Sequence, residues 1–132
     1  MAHRVKLDES NSIRVPAEDL RRQLSLIFQA VKTPENHADI AAKVLVSASV
    51  RGVDTHGVSQ VIGYSEAIES GFYTVPQQTS VINESETTAL LSAGNGIGLV
   101  SAYEGMEIAI HKAHEYGLGM VSIRDGHHVG MV

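Results

Sequence analysis

The sequence predicts a mixed α/β fold (α+β) in which a helical bundle comes first and strands combined with one helix follow. Three observations support this prediction. Apolar residues recur at helical spacing through the first half of the chain. Two short strand-like runs then flank a polar turn, and a last apolar run follows a helix that ends at a glycine. The composition, 43% hydrophobic and 19% charged over 132 residues, is typical of a globular protein with a sizeable core.

Three helices are predicted in the first half, after a polar and extended segment at residues 1–14. Pro16 suits the first turn of the first helix, whose inward face is predicted to contain Leu20, Leu24, Ile27, Phe28 and Val31. The segment Thr33-Pro34-Glu35 is predicted to begin the second helix, whose alanine-rich face contains Ala38, Ala41, Val44, Leu45 and Ala48. The third helix is predicted over about residues 58–69 and ends at Gly71, and its inward residues are Val61, Ile62 and Ile68.

The second half is predicted to begin with strands over residues 79–83 and 87–91. A helix over residues 99–116 follows, and its apolar face contains Val100, Tyr103, Met106, Ile110 and Ala113. Residues 120–123 form a last strand. We therefore predict a helical N-terminal region (1–75) and the beginning of a mixed sheet and helix domain (76–132). The strand at the end of the second region has nothing after it to pack against, so we expect either that a partner supplies this packing or that the region is truncated.

Composition excludes several classes of function. The formal net charge is −5 and no Lys/Arg cluster is present, which argues against a nucleic-acid partner. No run approaches the roughly 20 apolar residues of a spanning helix, so no membrane partner is expected. The absence of cysteine excludes disulfides and thiolate metal sites. No signal peptide is recognisable, and a soluble cytoplasmic protein is predicted.

Two segments resemble known ligand-binding motifs, one for metal ions and one for dinucleotides, but both are predicted to be structural. His111 and His114 have the i, i+3 spacing of a helical metal chelate, but no acidic motif accompanies them, so no metal site is predicted. The glycines of Gly94-Asn-Gly-Ile-Gly98 lack the spacing of the G-x-G-x-x-G dinucleotide fingerprint. We interpret this loop as a tight turn from strand to helix, with a phosphate site at the helix N-terminus as the alternative.

Two glycine-flanked histidines are the candidate functional residues. His56 lies in Arg51-Gly-Val-Asp-Thr-His-Gly57, and His128 lies in Arg124-Asp-Gly-His-His-Val-Gly130, on the loop that leaves the last strand. An imidazole can exchange protons near neutral pH, and neighbouring glycines let other groups approach closely. We predict that both histidines line one cleft, where a single reaction would use them together.

These two segments resemble motifs of the type-2 malate/L-lactate dehydrogenases, a family of NAD(P)-dependent 2-hydroxyacid oxidoreductases. That family has a sequence similar to R-G-V-D-S-H-G-V early in the chain, and the segment 51–58 matches it with Thr55 in place of Ser. Its later R-N-S-N-H-F/Y-G motif is similar to the segment 124–130. The loop 94–98 and the helix after it also look like the family's, and the resemblance extends from residue 15 to residue 132.

The resemblance implies hydride transfer between NAD or NADP and a 2-oxo or 2-hydroxy acid, in a homodimer. It implies that the sheet domain is the start of a non-Rossmann cofactor-binding domain and that the chain should be considerably longer. This chain alone is therefore expected to have little dehydrogenase activity. His128 matches a histidine proposed to exchange the hydroxyl proton, and His56 matches one to which acid/base or substrate-binding work is assigned, so the choice of the primary acid/base stays open. Thr55 would hydrogen-bond to His56, and the cofactor would contact His128, Val129, Gly130 and Met131.

Three residues depart from the family pattern. Gln60 stands where the family has an Arg suited to clamping a substrate carboxylate, and Gln offers only neutral hydrogen bonds. His127 replaces Asn, and Val129 replaces an aromatic residue. By this resemblance, Gln60 is the residue of this chain that is expected to bind the substrate. An alternative function follows from these departures, namely a non-catalytic fragment or pseudoenzyme that acts only in packing or dimerisation.

Overall fold

In the part of the chain that the structure describes, three helices precede a three-stranded sheet, and a fourth helix lies in the connection between the second and third strands. A computed structural model describes Ser10 and residues 12–131, so most of the segment predicted to be extended lies outside the described residues. The predicted mixed fold, with helices first and a sheet with one helix later, is confirmed. The elements are α1 (Ala17–Ala30), α2 (Glu35–Val50), α3 (Val61–Glu69), β1 (Ser80–Glu84), β2 (Thr88–Ser92), α4 (Gly98–Tyr116) and β3 (Met120–Arg124).

Helix α1 follows Pro16 and packs against α2. Leu24 and Phe28 are buried as predicted, but Ile27 is 41% exposed, so its predicted inward position is wrong. Ser25 is buried instead, on the other side of Phe28. The buried face of α1 is therefore centred on Phe28, and Ile27 lies at the edge of that face, where solvent reaches it.

Helix α2 is the central helix of the bundle and packs against both α1 and α4. Its predicted face is confirmed, since Ala38, Ala41, Leu45 and Ala48 are fully buried and Val44 packs against the core. Alanine has a small side chain, so neighbouring helices can approach α2 closely.

Helix α3 is shorter than predicted, because residues Val58–Gln60 form a separate 3₁₀ turn before it. Val61 and Ile68 pack against the core, but Ile62 is 67% exposed and its predicted inward position is wrong. Tyr64 is 4% exposed and lies on the inward face. Spacings of three and four residues connect Val61, Tyr64 and Ile68, which places Ile62 on a different side of the helix.

The sheet has the order β1-β2-β3, with β1 antiparallel and β3 parallel to β2. Helix α4 forms the crossover between the two parallel strands and packs on one face of the sheet. The predicted inward residues Met106 and Ile110 are 59% and 45% exposed, and Ala113 is exposed, so that part of the prediction is wrong. Gly105 faces the sheet instead: a Cβ there would lie 3.0 Å from Ile123 Cδ1.

Lys112 anchors α4 to the turn between β1 and β2. Its side chain is buried, and its Nζ donates a hydrogen bond to the carbonyl oxygen of Ser85 at 2.6 Å. The same nitrogen lies 3.2 Å from Oε2 of Glu84. An ammonium group that is removed from water needs such partners, so this lysine is structural.

One hydrophobic core joins the helical part of the chain to the first turn of α4. The buried cluster is made of Leu24, Phe28, Ala38, Ala41, Ala42, Leu45, Val46, Tyr64, Ile68, Ile97, Leu99 and Val100. The division into regions 1–75 and 76–132 stays a prediction. Across residues 12–131, no helix combines the length and apolarity needed to cross a bilayer.

We predict that Gly63→Ala raises the free energy of unfolding by about 0.5–1 kcal/mol, because alanine loses less backbone entropy in a helix than glycine does. Gly63 lies inside α3, and a Cβ there would meet no atom within 4 Å. Urea unfolding monitored by circular dichroism measures the change. The control is Gly71→Ala, also in open space but at a φ of +77°, and it should destabilise the protein. A lower midpoint for Gly63→Ala would contradict the prediction.

Candidate active site

His56 is placed by a short turn that follows α2. Residues Asp54–His56 form a 3₁₀ turn, and the next turn begins directly after Gly57. Ser49 of α2 fixes this segment, because its Oγ accepts a hydrogen bond from the backbone N–H of Val58 at 3.0 Å. A Cβ on residue 57 would collide with that Oγ, so glycine allows the turn to lie against α2.

His128 is placed by the loop that follows β3. Gly130 is buried with a φ of +89°, and a Cβ there would lie 2.8 Å from Leu99 Cδ2. Nearer the sheet, a Cβ on Gly98 would collide with the backbone carbonyl oxygens of His127 and His128. The loop backbone therefore lies directly on the first turn of α4, and two glycines make this close packing possible.

The structure brings the two predicted histidines together, although they are far apart in the sequence. The ring centroids of His56 and His128 lie 5.1 Å apart, with an interplanar angle of 33°. Nδ1 of His56 is 2.8 Å from Oγ1 of Thr55, the hydrogen bond expected from the resemblance. His128 is exposed, while His56 is half-buried. Two imidazoles, each held through Nδ1, thus share one location.

Tyr64 is a residue of this site that the sequence analysis missed. Its hydroxyl oxygen lies 2.8 Å from Nδ1 of His128 and 3.2 Å from the carbonyl oxygen of the same residue. The Tyr64 ring is also an edge-on neighbour of Phe28, with 6.2 Å between centroids. Burial, and secondarily the neighbouring Tyr73, raises the pKa of Tyr64 well above its ordinary value. The signal in the sequence was the spacing of residue 64 on α3.

Asn95 connects His127 to two further loops. Oδ1 of Asn95 is 2.7 Å from Nε2 of His127, and its Nδ2 donates to the carbonyl oxygen of Phe72 at 2.9 Å. Its backbone N–H donates to the carbonyl oxygen of Asp125 at 2.8 Å. The ring centroid of His127 lies 4.8 Å from that of Phe72 and 4.4 Å from that of Tyr73. His127 is therefore held in an aromatic cluster beside His128.

The glycine-rich loop is a tight turn from β2 to α4, as predicted. Gly94 and Asn95 both have positive φ angles, 58° and 61°. Asparagine adopts the left-handed conformation more readily than most non-glycine residues, and here that conformation aims both the backbone and the side-chain amide of Asn95 at neighbouring loops. The loop thus positions the His127–His128 segment.

Gln60 and the three residues after His128 complete the predicted set. Nε2 of Gln60 donates a hydrogen bond to the carbonyl oxygen of Thr55 at 2.9 Å, so this amide braces the turn that contains His56. Val129 is 38% exposed, and Met131 is half-buried. Gln60 therefore lies against the turn that contains His56, with one amide proton already used on the backbone.

No metal centre is evident in the described part of the chain. Within it, no three His, Cys, Asp or Glu side chains come close enough together to hold an ion. His111 is an exposed helix residue, and its Nδ1 lies 4.0 Å from Oε2 of Glu115. The chemistry that the site offers is proton transfer by imidazole, with hydroxyl and amide groups as hydrogen-bonding neighbours.

Known proteins that are similar to this chain include several dehydrogenases. The family profile for malate/L-lactate dehydrogenase matches residues 15–132. The malate dehydrogenase of Pyrococcus abyssi is 33% identical over 123 residues, which cover 93% of this chain and 34% of that protein. The malate/(S)-sulfolactate dehydrogenase of Methanothermus fervidus is 33% identical over 117 residues, which cover 89% of this chain and 34% of that protein.

Solved structures give the same result. The malate dehydrogenase from Pyrococcus horikoshii OT3 superposes with a TM-score of 0.91 at 36% identity, over 99% of this chain and 37% of that one. The sulfolactate dehydrogenase from Methanocaldococcus jannaschii has a TM-score of 0.86 at 28% identity, over 91% of this chain and 35% of that one. The chain spans about a third of the length of the curated relatives it matches. Because the family profile covers nearly all of its residues, the chain belongs to the malate/L-lactate dehydrogenase family.

Proposed function

We propose that this chain contributes the acid/base histidines of an NAD(P)-dependent dehydrogenase that interconverts 2-oxo and 2-hydroxy acids. The observation that supports the proposal most is the pairing of His56 and His128, whose rings lie 5.1 Å apart on two glycine-flanked loops. The reaction needs such a group, because a proton leaves the hydroxyl oxygen as the hydride leaves carbon. The dehydrogenases named above, which act on malate or sulfolactate, support an acidic small-molecule substrate.

The residues after β3 fit a nicotinamide. Val129 offers an exposed apolar side chain, Met131 a half-buried one, and the exposed imidazole of His128 lies next to them. A flat, largely apolar ring with one polar carboxamide suits such a surface. We propose His128, Val129, Gly130 and Met131 as the cofactor contacts of this chain. When bound, the nicotinamide would supply or accept the hydride, and NAD and NADP are both compatible with these residues.

We propose that His128 is the primary acid/base. Its Nδ1 is held by Tyr64 and the residue is exposed, so Nε2 is the ring nitrogen that a substrate hydroxyl would reach. In the oxidation of a hydroxy acid, Nε2 accepts the hydroxyl proton, and in the reverse direction it returns that proton to the forming hydroxyl. His56, oriented by Thr55, would then bind and orient the substrate oxygen. In the alternative assignment, His56 transfers the proton and His128 orients the substrate oxygen.

The alternative function is a non-catalytic member of the family that acts in packing or dimerisation. The observation that favours it is Gln60, which bonds to the backbone of Thr55 and has no positive charge with which to hold a carboxylate. A homodimeric state is a further proposal that rests on the family resemblance, and a cytoplasmic location is one that rests on the sequence. A measurement of 2-oxo acid turnover distinguishes the proposed dehydrogenase from the non-catalytic alternative.

The test is a hybrid enzyme in which residues 15–132 replace the matching third of the Pyrococcus horikoshii malate dehydrogenase. The structural match over 99% of this chain makes the exchange practical. Oxidation of NADH and NADPH is measured with oxaloacetate, pyruvate and sulfopyruvate, beside the parent enzyme. Measurable turnover of at least one acid is expected. A folded hybrid that binds cofactor as the parent does, yet reduces none of the acids, would support the non-catalytic alternative.

We predict that Gln60→Arg in the hybrid enzyme raises kcat/KM for 2-oxo acids by roughly 5–30-fold. Charged hydrogen bonds contribute about 1.5–3 kcal/mol and neutral ones about 1, so the gain is about 1–2 kcal/mol. Steady-state kinetics measure the effect. Gln60→Lys is the matched control, because it adds charge without the bidentate fork and should gain less. Unchanged or lower kcat/KM across all acids would show that residue 60 does not anchor substrate.

A further inference from the structure

We propose that Tyr64 is a positioning residue that keeps the proton of neutral His128 on Nδ1, so that Nε2 is the nitrogen left to exchange protons. The tautomer is an inference about this chain itself. Only its catalytic consequence rests on the proposed function. Neither Tyr64 nor its contact with His128 emerged from the sequence, since the two residues are 64 positions apart.

The hydrogen-bonding capacity of the Tyr64 hydroxyl fixes the assignment. A phenol has one O–H to donate and an oxygen that accepts. The hydroxyl oxygen lies 2.8 Å from Nδ1 of His128 and 3.2 Å from its carbonyl oxygen. A carbonyl oxygen can only accept, so the O–H donates to it. The oxygen of Tyr64 is then left to accept a hydrogen bond from an N–H at Nδ1.

The opposite assignment leaves two groups unsatisfied. If Tyr64 donated to Nδ1, its oxygen and the carbonyl oxygen of His128 would face each other at 3.2 Å without a proton between them. Such contacts between acceptors are avoided in poorly solvated places, and Tyr64 is 4% exposed. All atoms of the contact are satisfied only when Nδ1 carries the proton.

The arrangement persists when His128 gains or loses a proton. Nδ1–H is present in the neutral tautomer proposed here and in the imidazolium, so Tyr64 accepts the same hydrogen bond in both states. Burial keeps the pKa of Tyr64 above its usual value, so its O–H stays available to the carbonyl over the range in which imidazoles titrate. Only Nε2 changes its protonation, which suits a group that shuttles one proton.

The neighbouring His127 provides an internal contrast. Asn95 donates through Nδ2 to the carbonyl oxygen of Phe72, so its Oδ1 is the atom that faces Nε2 of His127 at 2.7 Å. An amide oxygen accepts, and Nε2 of His127 must therefore carry a proton. Two consecutive histidines are thus held as opposite tautomers, one by a tyrosine and the other by an asparagine.

The test measures tautomers in the 132-residue chain labelled with ¹⁵N. Long-range ¹H–¹⁵N correlation spectra above the titration range distinguish protonated from bare ring nitrogens. We expect His128 to be protonated mainly on Nδ1 and His127 mainly on Nε2. In Tyr64→Phe, His128 should move to the Nε2–H form that histidine favours in water. Tyr73→Phe is the matched control and should leave His128 unchanged, because Tyr73 packs against Tyr64 without touching Nδ1.

Two results would overturn the proposal, namely a wild-type His128 protonated on Nε2, or a Tyr64→Phe spectrum that retains the Nδ1–H form. The wild-type spectrum suffices if the variant does not fold. In the hybrid enzyme, Tyr64→Phe should lower kcat at least roughly tenfold with a smaller change in KM, since a misassigned proton impairs acid/base chemistry. An inactive hybrid with His128 in the Nδ1–H form would count against the proposed function and leave the positioning role supported.

Discussion

Replacing His128 with glutamine should lower kcat/KM of the hybrid enzyme by about 10²–10⁴-fold, the usual contribution of a positioned general acid or base. Glutamine can keep a hydrogen bond to Tyr64, but it cannot carry the proton that a substrate hydroxyl releases. His128 is exposed, so little packing is lost and the unfolding midpoint should stay close to that of the parent. Steady-state kinetics across pH 5–9 measure the effect.

Two matched variants show whether the loss belongs to His128 itself. His127→Gln changes the adjacent imidazole, which bonds to Asn95 rather than to Tyr64, and it should cost far less activity. His56→Gln separates the two candidate acid/base groups. A larger loss in His56→Gln, with His128→Gln near the parent, would assign the primary role to His56 and Thr55 instead.

Local periodicity was enough to predict the elements of the fold. Helices and strands were predicted near their observed positions because apolar spacing and glycine or proline at element ends act over a few residues. The errors are at the edges of helix faces. Ile62 and Met106 were assigned inward because they are apolar, yet they are 67% and 59% exposed. Gly105, which faces the sheet, has no side chain and so gave no signal.

Part of the candidate site was predictable for a different reason. His56 and His128 were singled out because each adjoins glycine at the end of a regular element, and such loops place side chains where ligands can reach them. The residues that hold the His127–His128 segment in place were not predicted. Tyr64 contacts His128 and Asn95 contacts His127, and each contact joins distant parts of the chain. The spacing of Val61 and Ile68 on α3 would have placed residue 64 inward, but Ile62 was assigned there instead. Nothing local to residue 95 indicated which loops it would join.

The packing of His128 on α4 gives the second prediction with a large expected effect, for Gly98→Ala. A Cβ on residue 98 would overlap the carbonyl oxygens of His127 and His128. These are backbone atoms, so the loop as a whole must move. Overpacking of this kind costs about 1–3 kcal/mol of folding free energy. A displacement of about 1 Å at a catalytic group costs roughly 10²-fold in rate, so the hybrid enzyme should lose about that much kcat/KM.

The matched control for Gly98→Ala is Gly105→Ala on the same helix. There the new Cβ would meet the side-chain atoms Ile123 Cδ1 at 3.0 Å and Val121 Cγ1 at 3.2 Å, which can rotate away. Gly105→Ala should therefore keep most of the activity, even where it lowers the urea midpoint. The ¹⁵N signals of His128 should move in Gly98→Ala and stay in place in Gly105→Ala. Parent-like kinetics and His128 signals in Gly98→Ala would mean that the position of this loop does not depend on glycine at the start of α4.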